Sequence, residues 1–226
     1  MPAAETDPLS FLRVRELTWL DLVLPPDTLA ALRSLAALAP AGGLTAVVSG
    51  EAGVGKTIAV RTLAEELRLD TWRVDCRMLV ELHGASTPAA LPGLFAVAER
   101  PHAVVLLHDA EWLWEEGAGG AADRVLELAG GRRPPTVLES RAPELPAGVA
   151  DLPHVRVPFP DEEARAELWR RLSWRAHPLA ALDVRRLAAV HVPGAAIEDA
   201  LERVIDDAGG AEPDTERLLA ALRRPP

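Results

Sequence analysis

The apolar positions of the first 158 residues follow two alternating patterns, one typical of buried strands and one typical of amphipathic helices. Short apolar runs with β-branched residues predict strands at 44–49, 71–75, 103–107, 135–138 and 154–157. Helical spacing predicts helices at 28–38, 57–67 and 88–99, a short helix ending at Gly84, and another running from the glycines at 117–120 to about 128. Helices between successive strands imply a parallel sheet covered on both faces, so the expected fold class is a three-layer α/β domain. Asp27 is the expected N-cap of the first helix.

The pattern changes to helices alone after Pro158-Phe159-Pro160. Helices are predicted at 161–174, 182–190, 194–207 and 214–223. We therefore predict a loose N-terminal arm over residues 1–16, an α/β domain over 17–158 and a small all-helical domain over 159–226.

The overall charge and the cysteine count restrict the environment and the partners. A formal net charge of −10 argues against a nucleic-acid-binding surface, because phosphate backbones are bound by clustered Lys and Arg. The single cysteine, Cys76, cannot form an intramolecular disulfide, which fits a reducing compartment. The N-terminus lacks the pattern of a signal peptide, and no apolar run reaches the roughly 18–20 residues of a membrane-spanning helix. We expect a cytoplasmic protein that binds neither membranes nor nucleic acids.

A phosphate-binding P-loop with the spacing G-x-x-x-x-G-K-[ST] lies between the first of these strands and the helix predicted at 57–67. Its residues are Gly50, Glu51, Ala52, Gly53, Val54, Gly55, Lys56 and Thr57. In this strand-loop-helix setting, backbone N–H groups and the helix N-terminus form an anion site. The Lys56 ammonium is expected to neutralise the β- and γ-phosphates, and the Thr57 hydroxyl to hold Mg²⁺. The motif predicts binding of ATP with magnesium.

Lysine usage supports this prediction. The chain has 24 basic residues, and Lys56 is the only one that is not arginine. A P-loop needs a compact ammonium, and a broad planar guanidinium does not fit the same space. A purely structural loop would have no need to keep the only lysine.

The strand at 103–107 ends in His108-Asp109-Ala110-Glu111, where an ATPase places acidic groups for magnesium and water. Asp109 is the candidate for the metal-side carboxylate, and Glu111 could polarise the attacking water. The alternative is that both acids are only solvated groups at the end of a strand.

Several segments together resemble AAA-type ATPases of the AAA+ superfamily, most closely those associated with contractile injection systems and phage-tail-like particles. The resemblance runs from about Leu17 to Arg223. Its supporting segments are the residues 17–25, the P-loop, 73–75, 95–99, 157–161 and Gly194-Ala195-Ala196-Ile197, the last lying at the family's lid motif. The resemblance implies a five-stranded parallel sheet, a helical lid that contributes Gly194 to the nucleotide site, and usually a hexameric ring with ATP between subunits.

The chain departs from the family at its catalytic positions. The family's Asp-Glu-Ala-Asp element aligns without gaps on residues 108–111, so His108 replaces the magnesium-side Asp and Asp109 takes the place of the water-activating Glu. A one-residue slip would return Asp109 to the metal but leave Ala110 where the Glu belongs. Ser140 aligns with the family's polar sensor Asn. No arginine occurs at 149–153, where the family has its arginine fingers, and Glu198 lies where related lids often have an arginine.

These departures affect hydrolysis more than binding, since an arginine finger alone contributes about 10³–10⁵ in rate. We expect an ATP-binding protein with weak or partner-dependent hydrolysis, which acts in assembly or remodelling of a protein complex. Its partners would be other proteins or AAA subunits, and the sequence leaves self-association open. One alternative is a fully active AAA remodelling ATPase with Asp109 and Glu111 sufficient for catalysis. Another is a scaffold that binds nucleotide without hydrolysing it.

Overall fold

The computed structural model describes residues 9–12, 17–39, 43–99, 103–130, 134–176, 182–207 and 213–223. Contacts within the chain define two compact units. The first consists of Met1–Gly50 and Lys56–Val157, and the second of Glu51–Gly55 and Pro158–Pro226. The second unit begins one residue from the predicted boundary, but it also includes five residues of the P-loop, which the sequence pattern assigns to the α/β domain.

The first unit is built on a sheet whose strand order is β1-β3-β4-β5-β2-β6. Its strands are β1 (Leu9–Leu12), β2 (Thr45–Ser49), β3 (Asp70–Asp75), β4 (Ala103–His108), β5 (Thr136–Ser140) and β6 (His154–Arg156). The strands β2 to β6 pair in parallel, which confirms the predicted α/β fold with five parallel strands. The central strands are buried on both faces, as expected when helices cover both sides of a parallel sheet.

The helices of this unit occupy the connections between strands. They are α1 (Pro26–Leu38), α2 (Lys56–Glu66), α3 (Cys76–His83), α4 (Thr87–Glu99) and α5 (Ala121–Ala129). Leu79, Leu91 and Phe95 from these helices are almost fully buried against the sheet residues Leu107 and Leu138. Full burial of such side chains contributes about 1.5–3 kcal/mol each, so this core holds the strand ends of the site in place.

Two local predictions in this unit were wrong. The arm predicted at 1–16 contains strand β1, which pairs antiparallel with β3 and gives that edge strand a hydrogen-bonded neighbour. Asp27 is not the N-cap of α1, because the helix begins one residue earlier, at Pro26. Proline at the first helical position has no N–H to leave unsatisfied, and Asp27 instead lies in the first turn, where its charge favours the helix dipole.

The second unit is helical, as predicted. It contains α6 (Glu162–Ala176), α7 (Val184–Ala188), α8 (Gly194–Asp207) and α9 (Thr215–Leu222), packed around the fully buried Trp169. Arg165 is also buried, and its guanidinium donates to the carbonyl oxygens of Ala188 and Pro160 at 2.7 and 2.6 Å. Within the described parts of the chain, no helix is both long and apolar enough to cross a membrane.

Candidate nucleotide-binding site

The P-loop follows β2 and ends where α2 begins, as the motif predicts. Gly53 and Gly55 have φ angles of 73° and 102°, in the region that favours glycine. Gly53 also has little room for a side chain, because an added Cβ would lie 3.0 Å from the Cβ of Ala195. Glycine is therefore required at position 53 for two independent reasons.

Gly194 lies beside the same part of the loop, within the second unit. It is the first residue of α8, and the N–H of the next residue, Ala195, donates to the carbonyl oxygen of Gly53 at 3.0 Å. A Cβ added at Gly194 would lie 3.6 Å from that oxygen. The loop residues Glu51–Gly55 and helix α8 thus belong to the same compact unit.

Lys56 and Thr57 are the first two residues of α2. The Lys56 side chain is only 5% exposed, and its ammonium donates to the carbonyl oxygen of Gly50 at 3.0 Å. Burial lowers the pKa of Lys56, and the nearby carboxylate of Glu139 opposes this shift. The Thr57 hydroxyl donates to Oε2 of Glu139 at 2.8 Å. Both predicted ligand-binding side chains therefore lie beside one buried carboxylate.

Glu139 is the functional candidate that the sequence analysis missed. It is 3% exposed in the middle of the sheet, and its Oε1 lies 3.9 Å from the Lys56 ammonium. Its Oε2 lies 3.2 Å from Nδ1 of His108, although this contact lacks hydrogen-bond geometry. One signal was available in the sequence: an acidic residue within a strand that is otherwise apolar or small. Glutamate is almost never fully buried unless it is paired.

Asp109 and Glu111 form a separate cluster with Arg141. Asp109 follows β4 with a left-handed backbone, φ 52°, which is uncommon for a residue other than glycine and is typical of functional sites. Nε of Arg141 lies 3.3 Å from the Asp109 carboxylate and 2.9 Å from that of Glu111. The backbone N–H of Arg141 also donates to Oε2 of Glu111 at 3.1 Å. Both acids are therefore bound to a cation of their own chain.

Electrostatics in this cluster favour the ionised forms. Burial raises the pKa of Glu111, but hydrogen bonds from the backbone and from Arg141 outweigh it, so the net pKa is lowered. The hydrogen bond to Glu111 in turn raises the pKa of Arg141 above its ordinary value. Glu111 is thus a stable anion at neutral pH.

Ser140, the sensor candidate, is fully buried at the end of β5. Its hydroxyl oxygen accepts a hydrogen bond from the N–H of Ala142 at 3.0 Å, and its carbonyl oxygen accepts one from the N–H of Gly50 at 3.1 Å. Ser140 therefore links the end of its strand to the beginning of the P-loop.

The described part of the chain contains no group of three or more His, Cys, Asp or Glu side chains able to hold a metal.

Comparisons with known proteins agree with the fold. Residues 46–128 match the ATPase family associated with various cellular activities (AAA). No curated protein matches the chain. The AAA domain of FIGL-1 in complex with ADP has a TM-score of 0.73 at 17% identity, with 98% of this chain and 88% of that chain covered. A katanin structure that describes its self-assembly has a TM-score of 0.72 at 15% identity, with 96% and 87% covered. Residues 46–128 thus match this family's model, and the chain is similar in fold to these two proteins.

Proposed function

We propose that this chain is an AAA-type protein that binds ATP with Mg²⁺ and hydrolyses it weakly or only when a partner completes the site. The observation that carries the proposal is the position of Lys56, the only lysine, which is buried at the start of α2 beside the Gly50 carbonyl and the Glu139 carboxylate. An ammonium fixed at this position beside the P-loop can form further charge-assisted hydrogen bonds to phosphate oxygens.

The residues present fit the phosphates and the metal. Gly53 and Gly55 have the backbone conformations that turn N–H groups towards an anion, and Thr57 presents its hydroxyl beside a carboxylate. When bound, Mg²⁺ supplies positive charge next to the β- and γ-phosphate oxygens. The FIGL-1 AAA domain, which has the same fold, was solved with ADP, and this supports a nucleotide as the ligand.

Weak hydrolysis is supported by the groups around Arg141. Asp109 and Glu111 are the candidates for activating water, and both are paired with that guanidinium. A carboxylate held in an ion pair is a poorer base, since the pairing stabilises its anion. If Asp109 replaces a longer Glu, its carboxylate is about one methylene short, and a misplacement of about 1 Å can cost on the order of 10²-fold in rate.

Calorimetry with purified protein tests the binding. Wild type should bind ATP with Mg²⁺ at micromolar affinity, about −8 kcal/mol, and Lys56→Ala should weaken it severely while the thermal unfolding transition persists. Folded wild-type protein that takes up no ATP would refute the proposed function.

Phosphate release tests the hydrolysis. The isolated protein should turn over well below the roughly 1–10³ per second usual for enzymes. The double change His108→Asp with Asp109→Glu restores the pair of acids found in the family and should raise the turnover. Ordinary turnover in wild type, abolished by Asp109→Asn, would instead favour the fully active ATPase. Turnover indistinguishable from zero with every partner tested would favour the scaffold.

The wider role is also a proposal. We place the protein in the cytoplasm, acting in assembly or remodelling of a protein complex, with contractile injection systems as the leading context because of the sequence resemblance. The self-assembly of katanin supports protein subunits as partners. Tail-sheath or baseplate genes beside its own gene would support this context, and a neighbourhood without them would count against it.

A further inference from the structure

The side chain that the proposed function leaves without a role is Glu139. A buried carboxylate is destabilising unless cations or hydrogen-bond donors compensate it. Glu139 has such partners in the Thr57 hydroxyl at 2.8 Å and the Lys56 ammonium at 3.9 Å. These are the two side chains assigned above to magnesium and to phosphate. Glu139 therefore lies at the centre of the candidate site although no family motif points to it.

The strand register explains how a carboxylate on β5 can replace one on β4. Leu107 of β4 pairs with Leu138 of β5, so His108 and Glu139 occupy the next row of the sheet. The alignment places the family's magnesium-side Asp at position 108, which is a histidine here. Glu139 thus lies beside position 108, on a neighbouring strand about 4.8 Å away. The extra methylene of Glu relative to Asp covers part of that distance.

Asp109, the other candidate for the metal-side carboxylate, has different contacts. Asp109 lies beside Arg141, which is 3.3 Å away, and beside Nε2 of His108, which is 3.7 Å away. The short hydrogen bond from the Thr57 hydroxyl goes to Glu139. In P-loop NTPases the metal is held by the P-loop Ser or Thr together with a nearby acid. Of Asp109, Glu111 and Glu139, Glu139 is the one bonded to that hydroxyl.

We propose that Glu139, and neither His108 nor Asp109, provides the metal-side carboxylate of the magnesium–ATP site. The proposal rests on the proposed function, since it assigns a role within that same site. The histidine at position 108 is compatible with this role, because a neutral imidazole next to Glu139 adds no negative charge.

The experiment separates the contribution of magnesium from nucleotide binding itself. ATP affinity is measured by calorimetry twice for each protein, once with EDTA and once with excess Mg²⁺. The factor by which Mg²⁺ raises the affinity is called the magnesium increment. Glu139→Gln keeps an oxygen that can accept from Thr57 but removes the charge. We expect it to reduce the increment by about 10–100-fold, the usual effect of changing a group that supports a metal, while the affinity in EDTA is unchanged or higher.

Two further variants make the comparison specific. Asp109→Asn removes a charge from the rival acid and should keep most of the magnesium increment. Glu127→Gln, the same substitution on the exposed face of α5, is the matched control and should behave as wild type. The free Mn²⁺ signal in electron paramagnetic resonance provides a second readout. With ATP present, wild type should bind one Mn²⁺ more tightly than Glu139→Gln does.

The outcomes distinguish the two proposals. If wild type binds no ATP in either condition, the proposed function fails. If wild type binds ATP and Glu139→Gln keeps the full magnesium increment, or if only Asp109→Asn loses it, the role of Glu139 is refuted. A higher affinity in EDTA with an unchanged increment would make Glu139 only a competitor of phosphate for Lys56, which also refutes the proposal. Should Glu139→Gln fail to unfold cooperatively, Glu139→Asp takes its place, with the same direction expected.

Discussion

At the scale of single residues, the candidate site contains two groups of charges with different partners. Lys56 and Glu139 are buried together at the start of α2. Asp109, Glu111 and Arg141 form the other group, in which each acid is within 3.3 Å of the guanidinium. A ligand that binds Lys56 changes the charge pairing in the first group. A change in the second group requires that Arg141 separate from Asp109 and Glu111.

The Glu111–Arg141 contact should contribute to stability in a pH-dependent way. Because the pKa of Glu111 is lowered in the folded protein, its contribution is complete above the ordinary value of 4.5 and is lost as the pH falls through the lower folded-state value. Glu111→Gln should therefore cost about 1 kcal/mol at pH 7, a modest figure because Arg141 is partly exposed, and less at an acidic pH well below 4.5. Thermal unfolding at both pH values measures this difference. Equal destabilisation at the two pH values would contradict the ion-pair explanation, and Glu127→Gln controls for loss of an exposed charge.

Cys76 should be inert in the folded protein. Its side chain is fully buried, and burial raises the pKa of the thiol well above the ordinary value, with the nearby acids Asp75 and Asp109 adding to the shift. Because the thiolate is the reactive form, native protein should react with a thiol reagent such as iodoacetamide far more slowly than protein in denaturant. Mass spectrometry counts the modified thiols. Equal rates in the two conditions would show that the residue is accessible.

At the scale of elements, the glycine positions of the P-loop determine which conformations the loop can adopt. Gly53→Ala places a Cβ in a left-handed conformation, at about 1–2 kcal/mol, and against Ala195 as well. The variant should lose stability and bind ATP more weakly, as thermal unfolding and calorimetry would show. Gly93→Ala is the control, because nothing lies within 4 Å of its added Cβ and it should be tolerated. Ala195→Gly should restore part of the stability of Gly53→Ala. No restoration would mean that the contact with Ala195 does not limit the variant, leaving the backbone angle and Pro193, 3.2 Å from the added Cβ, as the causes.

The strands and helices differ in how well a local sequence pattern predicts them. Apolar spacing predicted the strands β2 to β6 and the helices between them, because burial on a two-layer or three-layer core imposes that spacing directly. Strand β1 has four residues and pairs with a strand about sixty positions later, and no local pattern records such a partner. The order of the strands in the sheet is likewise not recorded in any local sequence pattern. The proposed role of Glu139 depends on β5 lying between β4 and β2. No local pattern in the sequence shows that these two strands are its neighbours.

At the scale of the whole molecule, the expected absence of a trans-acting arginine leads to a prediction on assembly. The segment from Val149 to Pro153 contains no arginine. Arg132 and Arg133 lie outside the described residues, and Arg141 is bound to Asp109 and Glu111 of its own chain. ATP should therefore do little to drive self-association, which light scattering with and without Mg²⁺–ATP measures.

A stable ATP-dependent hexamer would contradict this prediction. It would direct attention to Arg132, Arg133 or Arg141 as replacement fingers. Replacing each of them by alanine would then show which one the hexamer requires.

The single buried lysine gives this protein a proteolytic property of its own. A lysine-specific endoprotease has one peptide bond to cut in the entire chain, that between Lys56 and Thr57, and the side chain it must recognise is 5% exposed at the start of α2. Cleavage requires local opening of the loop, so the rate at which two fragments of residues 1–56 and 57–226 accumulate reports on that opening alone. A ligand that holds the loop closed will slow the cut, and Lys56→Arg will abolish it. The chain thus carries a built-in reporter of phosphate-loop dynamics that requires no label.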